Sequence, residues 1–440
     1  MTRNRIFVTA LLLLFPFASN GRDISLAECL ELSRTNNPDV ANAVLDSKIS
    51  VARRQETLSL WFPQVSAGML GFHALNPLVN IGLKDVLGSS DAVNNLNYFL
   101  RGSDRIKLLD YGYFSGVSVA QPVFAGGRIA NGNALAVLGV EAAGVKRDMA
   151  LRDNEDNISA KYWLAVSLAE KKKALQQGIE LVRSLEKDVA SAVGAGLARE
   201  SDLMQVRLKM KELESTMIKL RSSEKLAKMD LFNAAGLEYR VLELDSLVLC
   251  DGFDSLLPPE EYRRDEQAVA ASLEESRLLD MNVEAKALEK KLAVGEGLPE
   301  IGIGASYGYG RMVGNPTMNG AVYATVKIPL SDWGKTARKI QRCQYELEKA
   351  QNERDYLSAQ LLLKVNKEWI DLSCAWDRLE SAREAESISA LIESQKREEY
   401  DAGLCTLTEL LQIQSEHQTV MSGKVDCAVE YCNALAAWEK

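Results

Sequence analysis

Two acidic side chains, Asp202 and Glu409, occupy matching positions in two short segments that lie far apart in the sequence. Each acid stands six residues after the glycine of an Ala-Gly-Leu triplet, Gly196 in the first segment and Gly403 in the second. Glycine at these points suits a tight turn with positive φ. An acid that follows such a turn can cap the next helix, and its negative charge is favoured in that helix's first turn. The chemistry that these acids suggest is therefore electrostatic.

The sequence offers little for covalent or metal chemistry. Its only histidines are His73 and His417, and none of its seven cysteines forms a C-x-x-C pair, so a zinc site is not expected. The Gly-rich run at 302–310 alternates with period two, as a strand does, and is not a phosphate-binding loop. We predict no catalytic residue, no metal site and no cofactor. The cysteines at 343, 374 and 405 are expected to be small, mostly buried apolar residues.

Composition places the chain among folded proteins that are exported. Apolar residues make up 47% and charged residues 26% of 440, which is typical neither of a disordered chain nor of a helical membrane protein. Residues 1–20 have the two arginines, the apolar run and the small residues of a signal peptide, and the run is too short for a membrane anchor. Loss of two arginines leaves 50 Lys+Arg against 61 acids, a net charge near −11. That charge disfavours nucleic-acid binding.

An internal duplication explains why the turn sequence occurs twice. The segment 118–128 aligns with 325–335 at the same offset of 207 that separates the two glycines, and Tyr162 falls on Trp369. Further upstream, FPQVSAG and LPEIGIG align at an offset of 236. The difference of 29 corresponds to one insertion in the polar stretch 74–112. The chain is therefore predicted to consist of two repeats with one long loop.

Each repeat is predicted to contain a helix, a pair of strands and two very long helices joined by a turn. Apolar residues after 128 and after 335 step by three and four, as in a heptad seam, and no proline occurs at 123–257 or 330–440. A helix over 128–193 would be about 100 Å long. Helices of this length must pack along one another. The helices alone fit an antiparallel coiled-coil rod equally well.

Four segments have the alternation of membrane-facing β-strands, with apolar residues on one face and small or polar residues on the other. Their apolar residues are Val65, Ala67, Met69, Val117, Val119, Ile301, Ile303, Ala305, Tyr307, Tyr309, Val322, Ala324, Val326 and Ile328. Trp61 before the first strand and Trp333 after the last are expected at one membrane interface. The alternative is a soluble β-sandwich in which one face of each sheet is exposed to solvent. Because four strands cannot close a barrel, a barrel here requires several chains.

Four motifs of the sequence, in their order along the chain, resemble those of the TolC-type outer-membrane efflux proteins. They are NNPD (36–39), QPVFAGGR (121–128), IPLSDWGK (328–335) and YDAGLCTLTELLQIQ (400–414). The resemblance covers essentially the whole mature chain. It implies a mainly α fold with a small β part, assembled as a homotrimer. Three chains would form a 12-stranded β-barrel in outer-membrane lipid, continued by a 12-helix α-barrel across the periplasm. Such proteins are passive, porin-like conduits, engaged by a periplasmic membrane-fusion adaptor and an inner-membrane transporter of the RND, ABC or MFS type.

The resemblance also assigns roles to the two turns and to residues beside them. It implies that the turns at Gly196–Leu197 and Gly403–Leu404 dock the adaptor. By position, the implied periplasmic gate comprises Ser201, Asp202, Tyr400, Glu409 and Gln412. The sequence departs from the family pattern at Cys405, where an arginine would lock the closed state, and at Gln412, where a second acid would stand.

The two acids differ in how well helix capping accounts for them. Thr406 and Glu409 fit a capping box, so Glu409 has a structural explanation independent of a gate. Asp202 has Arg199 at the corresponding cap position, which does not provide such a box. An acid in the first turn of a helix is favoured in either case.

The predicted division of the chain follows the two repeats. It assigns 1–20 to the signal peptide, 21–63 to N-terminal helices, 64–124 to the first hairpin with its long external loop 74–112, 125–235 to a periplasmic helical hairpin with its turn at 193–200, 236–272 to an equatorial connector, 273–298 to a helix, 299–330 to the second hairpin, and 331–440 to the second helical hairpin with its turn at 400–406.

The expected function is that of the outer-membrane channel of a tripartite efflux or type I secretion system. The alternative is a soluble periplasmic coiled-coil protein with a structural or adaptor role. An enzyme is disfavoured. A passive conduit has no substrate pocket, so the sequence does not distinguish drugs, metal ions, metabolites or proteins as cargo.

Overall fold

The computed structural model describes residues 23–76, 79–82, 105–108, 111–237, 248–253, 256–311 and 315–439. The predicted signal peptide at 1–20 and most of the predicted loop at 74–112 lie outside these residues. The chain divides into two compact units. One comprises Met1–Leu45, Lys146–Ser272 and Ala359–Lys440, and the other comprises Asp46–Val145 and Leu273–Ser358.

The second of these units contains a four-stranded antiparallel sheet. Its strands are β2 (Gln64–His73), β5 (Tyr111–Ala125), β7 (Glu300–Arg311) and β8 (Thr317–Lys327), in the order β2-β5-β7-β8. A separate antiparallel pair is formed by β3 (Val79–Gly82) and β4 (Arg105–Leu108). Both repeats therefore contribute one pair of strands to a single sheet.

The register of the sheet aligns the predicted apolar residues in rows. Val65 pairs with Val119, Val119 with Ala305, and Ala305 with Val322, so these side chains share one face. The adjacent row on the opposite face pairs Ser66 with Ser118 and Ser118 with Ser306. The period-two pattern of the sequence therefore becomes a sheet with one apolar and one small, polar face.

The predicted loop boundaries need correction. β3 and β4 lie within the stretch 74–112 that was predicted as loop, and β5 begins at Tyr111 rather than after 112. Tyr111 and Tyr113 extend the strand because aromatic residues suit a pleated surface and pair there with His73 and Gly71 of β2.

Eight helices lie within the described residues, and two of them are very long. They are α1 (Leu26–Asn36), α2 (Pro38–Leu58), α3 (Arg128–Gly194), α4 (Glu200–Ala234), α5 (Glu266–Ser272), α6 (Glu274–Glu296), α7 (Lys335–Asp401) and α8 (Leu407–Trp438). The helices α3 and α7 each have 67 residues, and each is the first long helix of its repeat. In these helices the heptad pattern, with no internal proline, forms an uninterrupted helix.

The first unit holds two apolar cores along these helices. One core joins α3, α4 and α8, and its buried members include Leu185, Val206 and Leu410. The other core surrounds Tyr162, whose hydroxyl donates to the Ile24 carbonyl (3.1 Å) and contacts Asp251 Oδ2 (2.7 Å). Burial raises the pKa of Tyr162. In the second core, β1 (Asp23–Ile24) pairs in parallel with β6 (Val248–Leu249).

The early NNPD motif forms a buried polar junction in the same unit. Asn37 is 6% exposed, and its Nδ2 donates to Asn154 Oδ1 (2.8 Å) and to the Ala234 carbonyl (2.7 Å). Its Oδ1 accepts from the Asp39 amide at 2.7 Å. One side chain therefore links the α1–α2 junction to α3 and to the end of α4.

Candidate functional site

The two Ala-Gly-Leu turns have the same geometry and end α3 and α7. Gly196 and Gly403 have φ of +74° and +72°. The amides of Leu197 and Leu404 donate to the carbonyls five residues earlier, at 2.8 Å in both cases, and each glycine amide donates to the carbonyl three residues earlier. This pattern is the Schellman motif, and glycine is favoured at its left-handed position.

Each turn presents one leucine to solvent. Leu197 is 84% exposed and Leu404 is 78% exposed. The Schellman geometry fixes the backbone while leaving these side chains without a core to join. Both predicted docking turns are therefore short, rigid tips with an apolar end.

Asp202 caps α4, in contrast to the expectation that Arg199 left it without this role. Asp202 Oδ2 accepts from the Arg199 backbone amide at 3.3 Å, and the Ser201 hydroxyl lies 3.4 Å from Asp202 Oδ1. The interaction needs only the backbone of Arg199, which is why the identity of that side chain misled the prediction. It is one half of a capping box, because an arginine side chain cannot return the bond.

Glu409 takes part in the complete capping box at the start of α8. The Glu409 amide donates to Thr406 Oγ1 (3.3 Å), and the Thr406 amide donates to Glu409 Oε2 (3.4 Å). Glu409 is exposed. The capping prediction is confirmed, and its carboxylate also places charge on the surface beside the second tip.

Tyr400 lies in the last turn of α7, just before the second tip, and is close enough to Asp202 for that carboxylate to act on its phenol. It is partly buried against the core that joins α3, α4 and α8. Burial raises the pKa of Tyr400, and the carboxylates of Asp202, Asp401 and Asp188 raise it further. Its phenol therefore stays protonated and available as a hydrogen-bond donor near a group of acids.

Cys405 and Gln412, the two residues that depart from the family pattern, each make a hydrogen bond within their own helical hairpin. The Cys405 thiol donates to the Lys396 carbonyl (3.5 Å), and Lys396 pairs with Glu399 (2.5 Å). Gln412 is exposed and donates to Glu416 Oε1 (3.0 Å) on the next turn of α8. Lys396 thus provides a cation close to the position where the family has an arginine.

The beginnings of α4 and α8 are joined by polar contacts that the sequence did not reveal. Thr408 Oγ1 lies 3.2 Å from Gln205 Oε1, and Lys209 Nζ donates to Ser415 Oγ (3.1 Å). The structure therefore brings Asp202, Tyr400 and Glu409 to neighbouring tips. Gln412 instead donates to Glu416 on the same helix.

A partly buried polar cluster in the second helical hairpin was also missed. His417 Nδ1 lies 2.7 Å from Ser389 Oγ, and His417 Nε2 lies 3.6 Å from Glu393 Oε2. Burial raises the pKa of Glu393, while His417 and Arg397 act in the opposite direction. The only available signal was polar residues at seam positions where the first repeat has apolar ones.

The predicted interface tryptophans lie beside the sheet, at 50% exposure for Trp61 and 99% for Trp333. Trp333 has a φ of +56°, unusual for a residue with a side chain. Its equivalent in the first repeat is Gly126, also with positive φ. A Cβ on Gly126 would lie 2.2 Å from the Gly295 carbonyl oxygen, whereas the Trp333 side chain is free of such crowding.

Other chemistry is sparse in the described part of the chain. No group of histidine, cysteine and acidic side chains there is arranged to hold a metal ion. All seven cysteines are free thiols, and the expectation of mostly buried cysteines holds for Cys343 but not for Cys374, which is exposed. Over the same residues, no helix has both the length and the apolar character needed to cross a bilayer.

The fold is that of known outer-membrane channels. The CmeC channel of Campylobacter jejuni matches over 93% of this chain and 84% of its own, with a TM-score of 0.75 and 13% identity. VceC of Vibrio cholerae matches over 94% of both chains, with a TM-score of 0.74 and 13% identity. The channel OprN matches over 94% of this chain and 88% of its own, with a TM-score of 0.76 and 15% identity.

Residues 281–437 match the family model described as outer membrane efflux protein. The matched segment contains β7, β8, α7 and all but the last residue of α8, with the second tip. The resemblance to TolC-type outer-membrane efflux proteins is confirmed by this match together with the fold. Both favour the fold of an outer-membrane channel over that of a simple coiled coil. No curated protein has significant sequence similarity to the chain.

Proposed function

We propose that three copies of this chain form a passive conduit from the periplasm to the exterior, in a tripartite efflux or type I secretion system. The observation that carries the proposal is the four-stranded sheet. Its apolar face is exposed, with Val65 at 68%, Val322 at 87% and Val326 at 62%. Its outer strands, β2 and β8, have free edges within the described sheet.

A sheet with an apolar face and two free edges cannot rest in lipid alone. Each unpaired backbone group at an edge costs several kcal/mol in the hydrocarbon region. Pairing β8 of one copy with β2 of the next satisfies both edges, and three copies supply the strands of a closed barrel. Trp61 and Trp333 would then anchor the barrel at one interface with the outer-membrane lipid.

The tips at Gly196–Leu197 and Gly403–Leu404 would dock a periplasmic membrane-fusion adaptor. The exposed leucines would provide apolar contact surface for the adaptor. The adaptor would link the conduit to an inner-membrane transporter of the RND, ABC or MFS type. The chain itself performs no chemical step in this account. The transporter selects the cargo and supplies the energy.

The gate would be formed where the tips of three copies meet. Asp202 and Glu409 would repeat three times around the axis and repel one another, and such rings favour cations and resist closure. Tyr400, protonated beside Asp202, would donate a hydrogen bond that holds neighbouring helices. Ser201 and Gln412 would line the same opening.

Single-channel recording in planar bilayers tests the conduit and its gate together. The purified protein should give discrete conductance steps, and Asp202→Asn should lower its preference for cations or raise its conductance. Asparagine keeps an acceptor for the Arg199 amide, so the cap survives while the charge is lost. Glu409→Gln is its counterpart, because glutamine also serves in a capping box. A protein that forms no channel would contradict the proposal.

A further inference from the structure

One face of α7 carries a row of exposed residues within the first unit. These residues lie three and four positions apart, as in the seam of a coiled coil. The buried residues Leu372 and Leu379 lie on another face of the same helix. We call the row the exposed α7 seam, and it consists of Ile370, Cys374, Asp377, Ser381, Glu384, Ile388 and Leu391.

The exposed α7 seam is apolar at its ends and acidic in its middle. Ile370, Ile388 and Leu391 are each more than half exposed. Asp377 and Glu384 lie between them, and within the described part of the chain neither forms an ion pair. Because unpaired acids are costly to bury, a helix that covers this seam has to supply positive charge as well as apolar surface.

Helix α4 exposes a face of the matching kind. Its residues Leu208, Ile218 and Leu226 are each more than half exposed. Arg221 and Lys225 lie along the same stretch of the helix. Apolar residues and cations are therefore combined on α4 as the exposed α7 seam requires.

The two cations of α4 belong to a strongly basic groove between α3 and α4. Five of the eight residues that line this groove are lysine or arginine, among them Arg221 and Lys225. Its one acid, Glu224, already pairs with Lys172 (2.5 Å) and Lys228 (2.9 Å). The groove therefore keeps an excess of positive charge in a chain that is acidic as a whole. Such an excess attracts acids from a partner.

The acids of α7 and the cations of α4 lie at the same distances from the tips. Asp377 lies 24 residues before the end of α7, and Lys225 lies 25 residues after the start of α4, which is about 36 Å in each case. Glu384 and Lys219 lie 17 and 19 residues from the same two points, or about 27 Å. The tips themselves are level, because polar contacts join the beginnings of α4 and α8.

From these observations we infer that α7 of one copy packs along α4 of the next copy, with Asp377 beside Lys225 and Glu384 beside Lys219. The inference rests on the proposed conduit and identifies the surface through which its helices assemble. In that conduit β8 of one copy pairs with β2 of the next. β8 is followed in sequence by α7, and β2 is preceded by α2, whose start is linked to the end of α4 through Asn37. The same contact would cover Cys374, which is exposed in a single copy.

Cross-linking of the full-length protein in outer-membrane vesicles tests this contact. Ser381 of the exposed α7 seam and Ser222 of α4 are both exposed, and they lie at the same level. In a background with Cys250→Ser and Cys374→Ser, the pair Ser222→Cys with Ser381→Cys should be joined between copies by a short bismaleimide. Ser223→Cys with Ser381→Cys is the matched control and should give about fivefold less product, because Ser223 lies about 100° further around α4. Each single cysteine variant should give none.

Reversal of the charges tests the pairing of the acids. In the same cross-linking background, Asp377→Lys with Glu384→Lys should lower the yield about threefold at low salt, because like charges would then meet. Adding Lys219→Glu with Lys225→Glu should restore the yield. An unchanged yield after the first reversal, or no recovery after the second, would overturn the pairing.

The mass of the detergent-extracted protein separates this inference from the conduit. A trimer that forms without the cross-link at Ser222, or that cross-links Ser222 and Ser223 alike, would overturn the inference and leave the conduit standing. The exposed α7 seam would then face another partner or solvent. A protein that forms no trimer would overturn both.

Discussion

Replacing the tip leucines, Leu197→Ser with Leu404→Ser, should reduce export without destabilising the protein. The two side chains are 84% and 78% exposed, so folding buries only about a fifth of each. Full burial of a leucine is worth about 1.5 to 3 kcal/mol, and the loss of folding free energy should therefore be about 0.5 kcal/mol per site. That amounts to a change in melting temperature of a few degrees at most.

Docking would bury the remaining four fifths of each side chain. The same coefficient gives about 1 to 2.5 kcal/mol per tip, which corresponds to a roughly 5- to 60-fold loss of adaptor affinity. Because three copies would present their tips together, the loss should multiply across the assembly.

The assay compares compound susceptibility of cells that carry each variant in place of the native gene, with the amount of protein in the outer membrane measured in parallel. Leu197→Met with Leu404→Met serves as the matched control, since methionine keeps the apolar volume. Native amounts of the serine variant with lost export, and normal export in the methionine variant, are expected. Full export with serine at both tips would refute the docking role.

Three further changes test the structural account by thermal unfolding. Asn37→Ala should cost about 3 kcal/mol of folding free energy through its buried bonds to Asn154, Ala234 and Asp39, whereas the exposed neighbour Asn36→Ala should cost far less. Gly403→Ala should cost about 1 kcal/mol from its positive φ alone, since a Cβ there meets no atom within 4 Å. Glu393→Gln should raise the melting temperature at pH values above the raised pKa of Glu393, where the partly buried native carboxylate is charged. Burial raises the pKa of Glu393, so the native side chain becomes protonated as the pH falls through that raised value toward the ordinary one. The difference in melting temperature between the variant and the native protein should therefore shrink at lower pH. A difference that is the same at all pH values would contradict this prediction.

The sequence predicted the elements of this fold well, because each depends on local periodicity. Heptad spacing without proline predicted α3 to within one residue of its end at Gly194. Strict alternation predicted the faces of the four strands, which the register then aligned across the sheet. The boundary at Tyr111 was missed because it depends on pairing with β2, which is not local.

Side-chain partners were harder to predict, because the two repeats pack differently at equivalent positions. Val182 and Met210 are buried apolar residues in the first repeat, and their equivalents in the second are Ser389 and His417. In the other direction, Glu224 is buried and contacts Lys172 (2.5 Å) and Lys228 (2.9 Å), whereas its equivalent is the buried Tyr431.

The alignment of the two repeats identifies which residues occupy equivalent positions, but it does not predict which side chains these residues contact. For a polar residue on a heptad seam, the sequence does not say whether its partner lies on the same helix, on the next helix or in solvent. The same reason applies to Asp202, whose partner is a backbone amide, and to Gln414, whose lack of a partner only the structure shows.

The most direct test of the conduit is the location and mass of the mature protein after gentle detergent extraction. Recovery from the outer membrane at about three times the chain mass, once detergent is subtracted, is the predicted result, because β2 and β8 need partners in lipid. A protein that is soluble without detergent, as a stable monomer or dimer, would contradict it. In that case the exposed apolar face of the sheet would have to be covered within the periplasm.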